Sequence, residues 1–169
     1  MYNNFKPSNM KKYTNRIVGM AILMLTIGCA LESKFGLPND EAIQTELIGK
    51  WKLTENGKEE VYEILKKDDN SYRLVAPFVD GGKDLMAYTK TIKGHTILTV
   101  IQEEYGIVSN TFYGIHITKD LLVVHAVNKK NRTQDFGSEA ELLQFFQENI
   151  TNEDFFVDPL DFIRMKSNE

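Results

Sequence analysis

From Trp51 onward, the chain consists of short segments in which apolar and polar residues alternate, separated by turn sequences at regular intervals. A period of two is typical of β-strands that bury one face. The Asn56-Gly57 pair is a strong hairpin signal, because both residues tolerate the left-handed backbone of a tight turn. The pattern predicts an antiparallel meander that closes as a barrel or a sandwich, with strands at 50–54, 60–66, 71–78, 85–92, 95–102, 110–118, 121–127 and 161–166.

One segment near the C-terminus follows a helical period instead. Ser138 and Glu141 have the spacing of a capping box, in which the Ser hydroxyl accepts a backbone N–H and the Glu reaches back. The apolar residues that follow share one helical face and are Leu142, Leu143, Phe145, Phe146 and Ile150. We therefore expect one helix, packed on the β structure just before the last strand.

Several of the predicted strands are apolar on both faces. The segment 121–127 is apolar on both sides apart from His125, and in 95–102 Ile97 opposes Leu98. Strands of this kind need cover on both faces. One side can fill a barrel or line a cavity, while the other must meet the helix or a partner. The sequence leaves a filled interior and a small apolar pocket as alternatives.

The first 28 residues have a different character. An apolar run at 17–27 follows a segment that carries basic but no acidic residues, the basic ones being Lys6, Lys11, Lys12 and Arg16. A helix over this run would span only about 16 Å, which is too short for a hydrocarbon core of about 30 Å. The run therefore predicts a signal peptide at 1–28 rather than a membrane-spanning helix.

The leader ends in Leu25-Thr26-Ile27-Gly28-Cys29, which resembles the lipobox of bacterial lipoproteins. In that class, cleavage before the Cys makes it the first residue, and acyl chains are attached to its sulfur and amino group. The resemblance implies lipidation of Cys29 and anchoring in the bacterial cell envelope, at the outer membrane in a Gram-negative cell. Cys29 is the only Cys in the sequence, so no internal disulfide competes for its thiol.

These features predict three regions: the signal peptide at 1–28, a tether and lead-in segment at 29–46, and a β-barrel domain at 47–169. Beyond the leader, 16 Lys and Arg stand against 24 Asp and Glu, a formal charge of −8. A domain this acidic is unsuited to nucleic acid, which requires a basic face. The expected contact with the membrane is therefore the lipid alone.

The start of the β region carries a second resemblance. Gly49 and Trp51 form a G-x-W motif like the one that opens the first strand of lipocalins, where the Trp packs across the barrel base. Arg164 is the candidate for the late basic residue that the family packs against this Trp. The resemblance implies a mainly β chain that forms an up-and-down barrel of about eight strands, although a helix before the last strand departs from the family.

The same resemblance implies binding of a small hydrophobic ligand. The candidate ligand contacts are Trp51, Tyr72, Leu74, Phe112, His116 and His125. The alternative is a non-enzymatic protein-interaction or inhibitor module, a solid barrel whose partner is another envelope protein.

We find no catalytic motif in the sequence and expect no cofactor and no enzymatic activity. His116 and His125 lie diagonally on one face if Lys119-Asp120 forms a two-residue loop. A zinc site needs three or four ligands, and the sequence places no third ligand beside this pair. We therefore expect no metal.

Overall fold

The computed structural model describes residues 30–77, 84–131 and 135–166. The predicted signal peptide at 1–28, the proposed lipidation site Cys29 and Phe78 at the end of the predicted third strand lie outside the described residues. Within the described part, no helix is both long enough and apolar enough to cross a membrane.

The strands follow one another along the chain, and one α-helix interrupts them. A 3-10 turn (Thr45–Leu47) precedes β2, and helix α1 (Glu139–Asn149) lies between β8 and β9. The strands are β1 (Glu32–Ser33), β2 (Gly49–Glu55), β3 (Lys58–Lys66), β4 (Tyr72–Val75), β5 (Leu85–Ile92), β6 (His95–Glu104), β7 (Ile107–Ile117), β8 (Leu121–Val127) and β9 (Phe156–Arg164).

Strands β2 to β9 form a closed antiparallel barrel. Each strand pairs with the one before it and the one after it, and β9 returns to pair with β2, so that Trp51 lies opposite Arg164. Closure pairs the two edge strands of the meander with each other, which stabilises both. The predicted up-and-down barrel of about eight strands, with one helix before the last strand, is confirmed.

The last strand is longer than predicted. It begins at Phe156 rather than at residue 161, and it passes through Pro159. The pairing of β8 with β9 shifts register between Val124 and Ala126, and Asp158 adopts a φ of 52° there. A proline lacks an N–H to donate, and a bulge is one of the places in a sheet where this lack is tolerated.

The connection that we expected to be loose, at 103–109, is a tight hairpin. Tyr105 and Gly106 form its turn with φ values of 51° and 78°. Two consecutive left-handed residues are what a two-residue hairpin turn requires. The prediction was wrong because Tyr is not among the residues that usually adopt this backbone.

Residues 30–46 do not form the free tether that the sequence suggested. Ala30, Leu31 and Leu37 are buried, and β1 pairs with the first half of β7. The segment then runs along the outside of β5, where the Tyr88 hydroxyl donates to the Leu37 carbonyl over 2.7 Å. Lys90 forms an ion pair with Asp40 over 2.6 Å. This segment is therefore part of the folded domain.

A well-packed core lies outside the barrel, between its wall and α1. Outward-facing residues of β5 to β8 meet the apolar face of the helix and the segment 31–37. Phe112 and Phe146 pack edge to face, with 5.3 Å between their ring centroids, and both are fully buried. The members of this outer core include Leu31, Leu37, Tyr88, Ile92, Ile97, Phe112, Val127, Leu142, Phe145, Phe146, Ile150 and Phe155.

Inside the barrel, the largest fully buried side chains lie at one end. Leu47, Trp51 and Tyr72 are fully buried there. Higher in the barrel, inward-facing residues such as Leu74 and Val124 are only half-buried. The barrel wall is thus packed more completely on its outside than on its inside.

Because of this difference, replacing a leucine by alanine should lower the free energy of unfolding more in the outer core than inside the barrel. Leu142→Ala, in the fully buried outer core, should lower the free energy of unfolding by about 3–4 kcal/mol, because it leaves a cavity in packed surroundings. Leu74→Ala should cost about 1 kcal/mol or less, because that side chain already faces open space. Urea unfolding followed by far-UV circular dichroism measures both, and equal losses would contradict this difference in packing.

Candidate ligand cavity

The floor of the barrel is built around Trp51. Its indole N–H donates to the Leu47 carbonyl over 2.8 Å, which ties the strand to the 3-10 turn beneath it. The guanidinium carbon of Arg164 lies 4.1 Å from the centroid of the indole ring, within the range of a cation–π contact. The indole is therefore held from both sides.

Arg164 also joins three parts of the chain through backbone carbonyls. Its guanidinium donates to Ile48 over 3.0 Å, to Lys119 over 2.7 Å and to Glu46. A guanidinium has five donors in a rigid fork, so one side chain can satisfy several acceptors at once. Arg164 thereby fastens the 3-10 turn and the β7–β8 loop to the end of β9.

Gly49 is required by the approach of that arginine. A Cβ at this position would lie 2.9 Å from Nη1 of Arg164, and the backbone φ is 141°. An L side chain rarely adopts such a φ, and here it would also meet the guanidinium. The structure therefore brings together the three residues for which the sequence predicted a structural role, Gly49, Trp51 and Arg164.

Above this floor the barrel encloses a cavity of about 430 Å³. Its walls are mostly aliphatic, and every strand from β2 to β9 contributes at least one side chain to them. The apolar lining includes Trp51, Ile64, Leu74, Leu85, Leu98, Val100, Leu122, Val124, Leu160 and Phe162. Cavities of this volume with apolar walls are typical of small-molecule sites.

The polar groups of the cavity gather at the rim, the end opposite Trp51. Glu55, Gln102 and Asp158 line the cavity there, and Tyr62 and Tyr113 also contribute to the lining. The Tyr62 hydroxyl donates to a carboxylate oxygen of Glu60 over 2.8 Å. The cavity is therefore apolar at its floor and walls and polar at its rim.

Both rim tyrosines keep their protons at neutral pH. Burial raises the pKa of Tyr113 to about 12, with a smaller contribution from the charge of Glu32. Burial, followed by the hydrogen bond to Glu60 and the charges of Glu60 and Glu55, also raises the pKa of Tyr62. Removing a phenolic proton would place a new negative charge beside existing carboxylates and away from water. The rim thus offers neutral phenols and carboxylates.

The structure divides the six candidate ligand contacts into two groups. Trp51 and Leu74 line the cavity. Tyr72 also points into the barrel, but it is fully buried in the floor, where its hydroxyl accepts the Gln44 N–H over 2.6 Å. These three residues belong to the barrel interior.

Phe112, His116 and His125 lie on the outer face of the barrel and do not reach the cavity. Phe112 packs under α1, and the two histidines share a surface groove with His95 and Phe156. The two histidines were placed correctly on one face of the β7–β8 pair, since Gly114 is opposite His125. That face was wrongly expected to be the inner one, because both faces of β7 and β8 are apolar and alternation alone cannot distinguish them.

Three histidines, His95, His116 and His125, line this groove. Among the described residues, no group of three or more His, Cys, Asp or Glu side chains is placed to hold a metal ion. The rings of His95 and His125 instead pack near Phe156, with centroid distances of 5.8 and 6.2 Å.

The rim residues were not predicted from the sequence, although one signal for them was present. The Asn56-Gly57 turn fixes the register of the first hairpin, which makes Tyr62 the cross-strand partner of Trp51. From there the Tyr62 hydroxyl reaches Glu60, which lies nearer the rim. Directly opposed residues point to the same face, so an inward Trp51 implies an inward Tyr62. Asp158 had no comparable signal, because it reaches the rim only through the bulge in β9.

The network around Arg164 predicts a specific loss of stability. Arg164→Lys keeps the charge but cannot reach three separate carbonyls, so we expect it to lower the free energy of unfolding by about 2–4 kcal/mol. The emission of Trp51 should shift to longer wavelength as the floor loosens, which fluorescence-monitored urea unfolding would record.

Arg73→Lys is the matched control, because Arg73 forms an exposed ion pair with Asp84 at 3.1 Å on the outer surface. That variant should change the unfolding free energy by less than about 0.5 kcal/mol. If Arg164→Lys proved as stable as the control, with unchanged emission, Arg164 would not hold the floor.

Comparisons with known proteins do not assign this chain to a family. No family model, no curated protein and no solved structure matches the chain. The function must therefore be inferred from the cavity, the rim and the surface of this molecule.

Proposed function

We propose that this chain is a lipid-anchored protein of the bacterial cell envelope whose lipocalin-like barrel binds a small hydrophobic ligand in its interior. The observation that carries the proposal is the apolar cavity of about 430 Å³ above the Trp51 floor. Of the two interiors that the sequence left open, a filled barrel and a small apolar pocket, the hollow barrel is the one that can accept a ligand.

The burial of the interior residues supports this function. Leu74, Leu85 and Leu160 point into the barrel and yet are only half-buried, although most of the outer core is closely packed. Apolar side chains that line an unfilled space remain in contact with solvent, which is unfavourable by roughly 25 cal/mol per Å². A ligand with an apolar chain would cover these surfaces and stabilise the barrel.

The shape of the interior also suits an amphiphile that enters from the rim. Trp51 and Arg164 close the floor, whereas Glu55, Gln102 and Asp158 surround the other end with polar groups. An apolar chain would lie along the aliphatic walls and point toward Trp51. The polar end of the same molecule would remain among the rim groups.

The lipobox resemblance supports the anchoring part of the proposal. Ala30, the residue after Cys29, is already buried and forms an isolated bridge with Asn128. If Cys29 carries acyl chains, the lipidated residue directly precedes the folded part of the chain, because the segment expected to act as a tether is packed on the fold. The barrel would then be held close to the membrane surface.

One observation favours the second candidate function, a non-enzymatic protein-interaction module. The tip of the β6–β7 hairpin exposes three apolar side chains, with Tyr105 95% exposed, Ile107 71% and Val108 44%. Exposed aromatic and aliphatic groups of this kind are typical of interaction surfaces. Such a role would use the tip of the hairpin and leave the interior unused.

Ligand binding in the interior predicts a clear effect of filling it. Leu74→Trp should weaken the binding of a neutral apolar fluorescent probe, N-phenyl-1-naphthylamine, by at least about tenfold, because the larger side chain occupies the cavity. Titration of the purified protein with the probe, followed by probe fluorescence, measures the affinity.

Val61→Trp is the matched control, since Val61 lies on the neighbouring strand with its side chain on the outer surface, 41% exposed. It adds the same indole and should leave probe binding unchanged. Equal binding by the native protein and both variants would place the probe outside the barrel and would overturn the proposed ligand site.

Anchoring through Cys29 is tested by metabolic labelling. Cells that produce the full chain and grow with a radioactive fatty acid should incorporate label into the protein, and Cys29→Ser should abolish it. In the double variant Cys29→Ser, Ser33→Cys, the thiol is restored four residues later, where it no longer follows the leader, so the label should not return. Label in either variant would disprove lipidation at Cys29.

A further inference from the structure

Among the described residues, the rim of the barrel contains hydrogen-bond acceptors and negative charges but no cationic side chain. Glu55 and Asp158 line the cavity there, and Glu60 reaches the same region by accepting the Tyr62 hydroxyl. Glu63 also contributes to the lining, although its carboxylate lies 4.0 Å from the amino group of Lys50 on the outside. Across the described residues, no Lys, Arg or His lines this cavity.

The rim carboxylates are also free to meet a ligand. Within the described part of the chain, neither Glu55 nor Asp158 forms an ion pair. Some acids of the outer surface do form ion pairs, such as Glu59 with Lys52 over 2.8 Å and Asp40 with Lys90 over 2.6 Å. Glu55 and Asp158 lie where a ligand's polar end would be, without an ion-pair partner among the described residues.

A third rim group that is available to a ligand is the hydroxyl of Tyr113. The Tyr113 side chain is half-buried, and its hydroxyl has no hydrogen-bond partner among the described residues. Tyr62 and Tyr113 both line the cavity. Because Tyr62 already donates its proton to Glu60, these phenols can accept a hydrogen bond from an ammonium group.

We infer that the interior takes an amphiphile with a cationic head group, of the long-chain amine class, in preference to a fatty carboxylate of the same length. The inference rests on the proposed function, since it presupposes that the cavity is the ligand site. It goes further by specifying the charge of the ligand's head group. A bound ammonium would lie among Glu55, Glu60 and Asp158, with its chain against Leu74 and Phe162.

The chemistry of the rim explains this preference. A carboxylate head group would stand beside like charges, with no arginine or lysine of the described lining to compensate it, and the apolar walls would reduce screening by water. An ammonium has three donors and no acceptor, so it complements a ring of carboxylates and phenols. A cavity of about 430 Å³ has room for about fourteen groups of roughly the 30 Å³ that a water molecule occupies in the liquid, which is enough for a dodecyl chain.

The test compares three ligands that share one dodecyl chain: dodecylamine, dodecan-1-ol and dodecanoate. Each displaces N-phenyl-1-naphthylamine from the purified protein, at neutral pH, low salt and concentrations below micelle formation. We expect dodecylamine to displace the probe at a concentration at least about tenfold lower than dodecanoate, with the alcohol between them. Added salt should reduce the difference, because it screens charges near the rim.

The double variant Glu55→Gln, Asp158→Asn removes two rim charges and keeps the size of the side chains. Asn also tolerates the left-handed backbone at position 158. This variant should bring the amine-to-carboxylate preference at least about threefold closer to one.

The control double variant is Glu59→Gln, Asp161→Asn, which removes the same charge from the outer surface of β3 and β9. It should retain the full preference, because those side chains do not line the cavity. A loss of preference in this control would mean that the total charge of the protein, and not the rim, selects the ligand.

The outcomes separate this inference from the proposed function. If dodecan-1-ol and the probe bind but dodecanoate binds as tightly as dodecylamine, the selection of a cationic head group is wrong and the ligand site stands. The selection is equally wrong if the rim variant keeps the full preference. If neither the alcohol nor the probe binds, the ligand site itself is wrong, and the inference fails with it.

Discussion

The outward-facing side chains of β5 to β8 must be kept from water, and most of the architecture follows from this constraint. Ile97, Phe112 and Val127 lie on the outer wall of the barrel and are fully buried. A barrel can bury only its inner face by closing, so these residues need a second layer. Helix α1 and the segment 31–37 provide that layer, which explains why a helix is inserted before the last strand and why residues 30–46 are not a free tether.

The second layer reduces the amount of packing that the barrel interior must supply. Because the tightly packed core lies between the wall and the helix, the inside of the barrel does not need to be filled for the chain to fold. Its floor is closely packed, because Arg164 contacts Trp51 there and donates to three backbone carbonyls. The space above the floor can remain hollow, and its apolar walls become available to a ligand. The main packed core and the hollow interior thus lie on opposite faces of the same strands.

Much of this arrangement could be predicted from local sequence signals. Turn sequences and alternating residues identified the meander, and Ser138 does cap the helix by accepting the Glu141 N–H over 3.2 Å. The G-x-W pattern led to Gly49, Trp51 and Arg164, which lie together in the structure. These features are predictable because each depends on backbone conformation or register over a few residues. The placement of Phe112, His116 and His125 was not predictable in this way, because a strand that is apolar on both faces gives no signal of which face points into the barrel.

The sequence by itself therefore determined most of the barrel strands, the order in which they pair, the helix and the residues that close the floor. It also supplied the predicted leader and Cys29, on which the proposed anchoring depends. Only the tertiary structure decided which face of each strand lines the interior, that the interior is hollow, and that Glu55, Tyr62, Tyr113 and Asp158 meet at one rim. The physical reason is that alternation defines two faces without naming the inner one, which is settled only when all eight strands close and the helix covers one side.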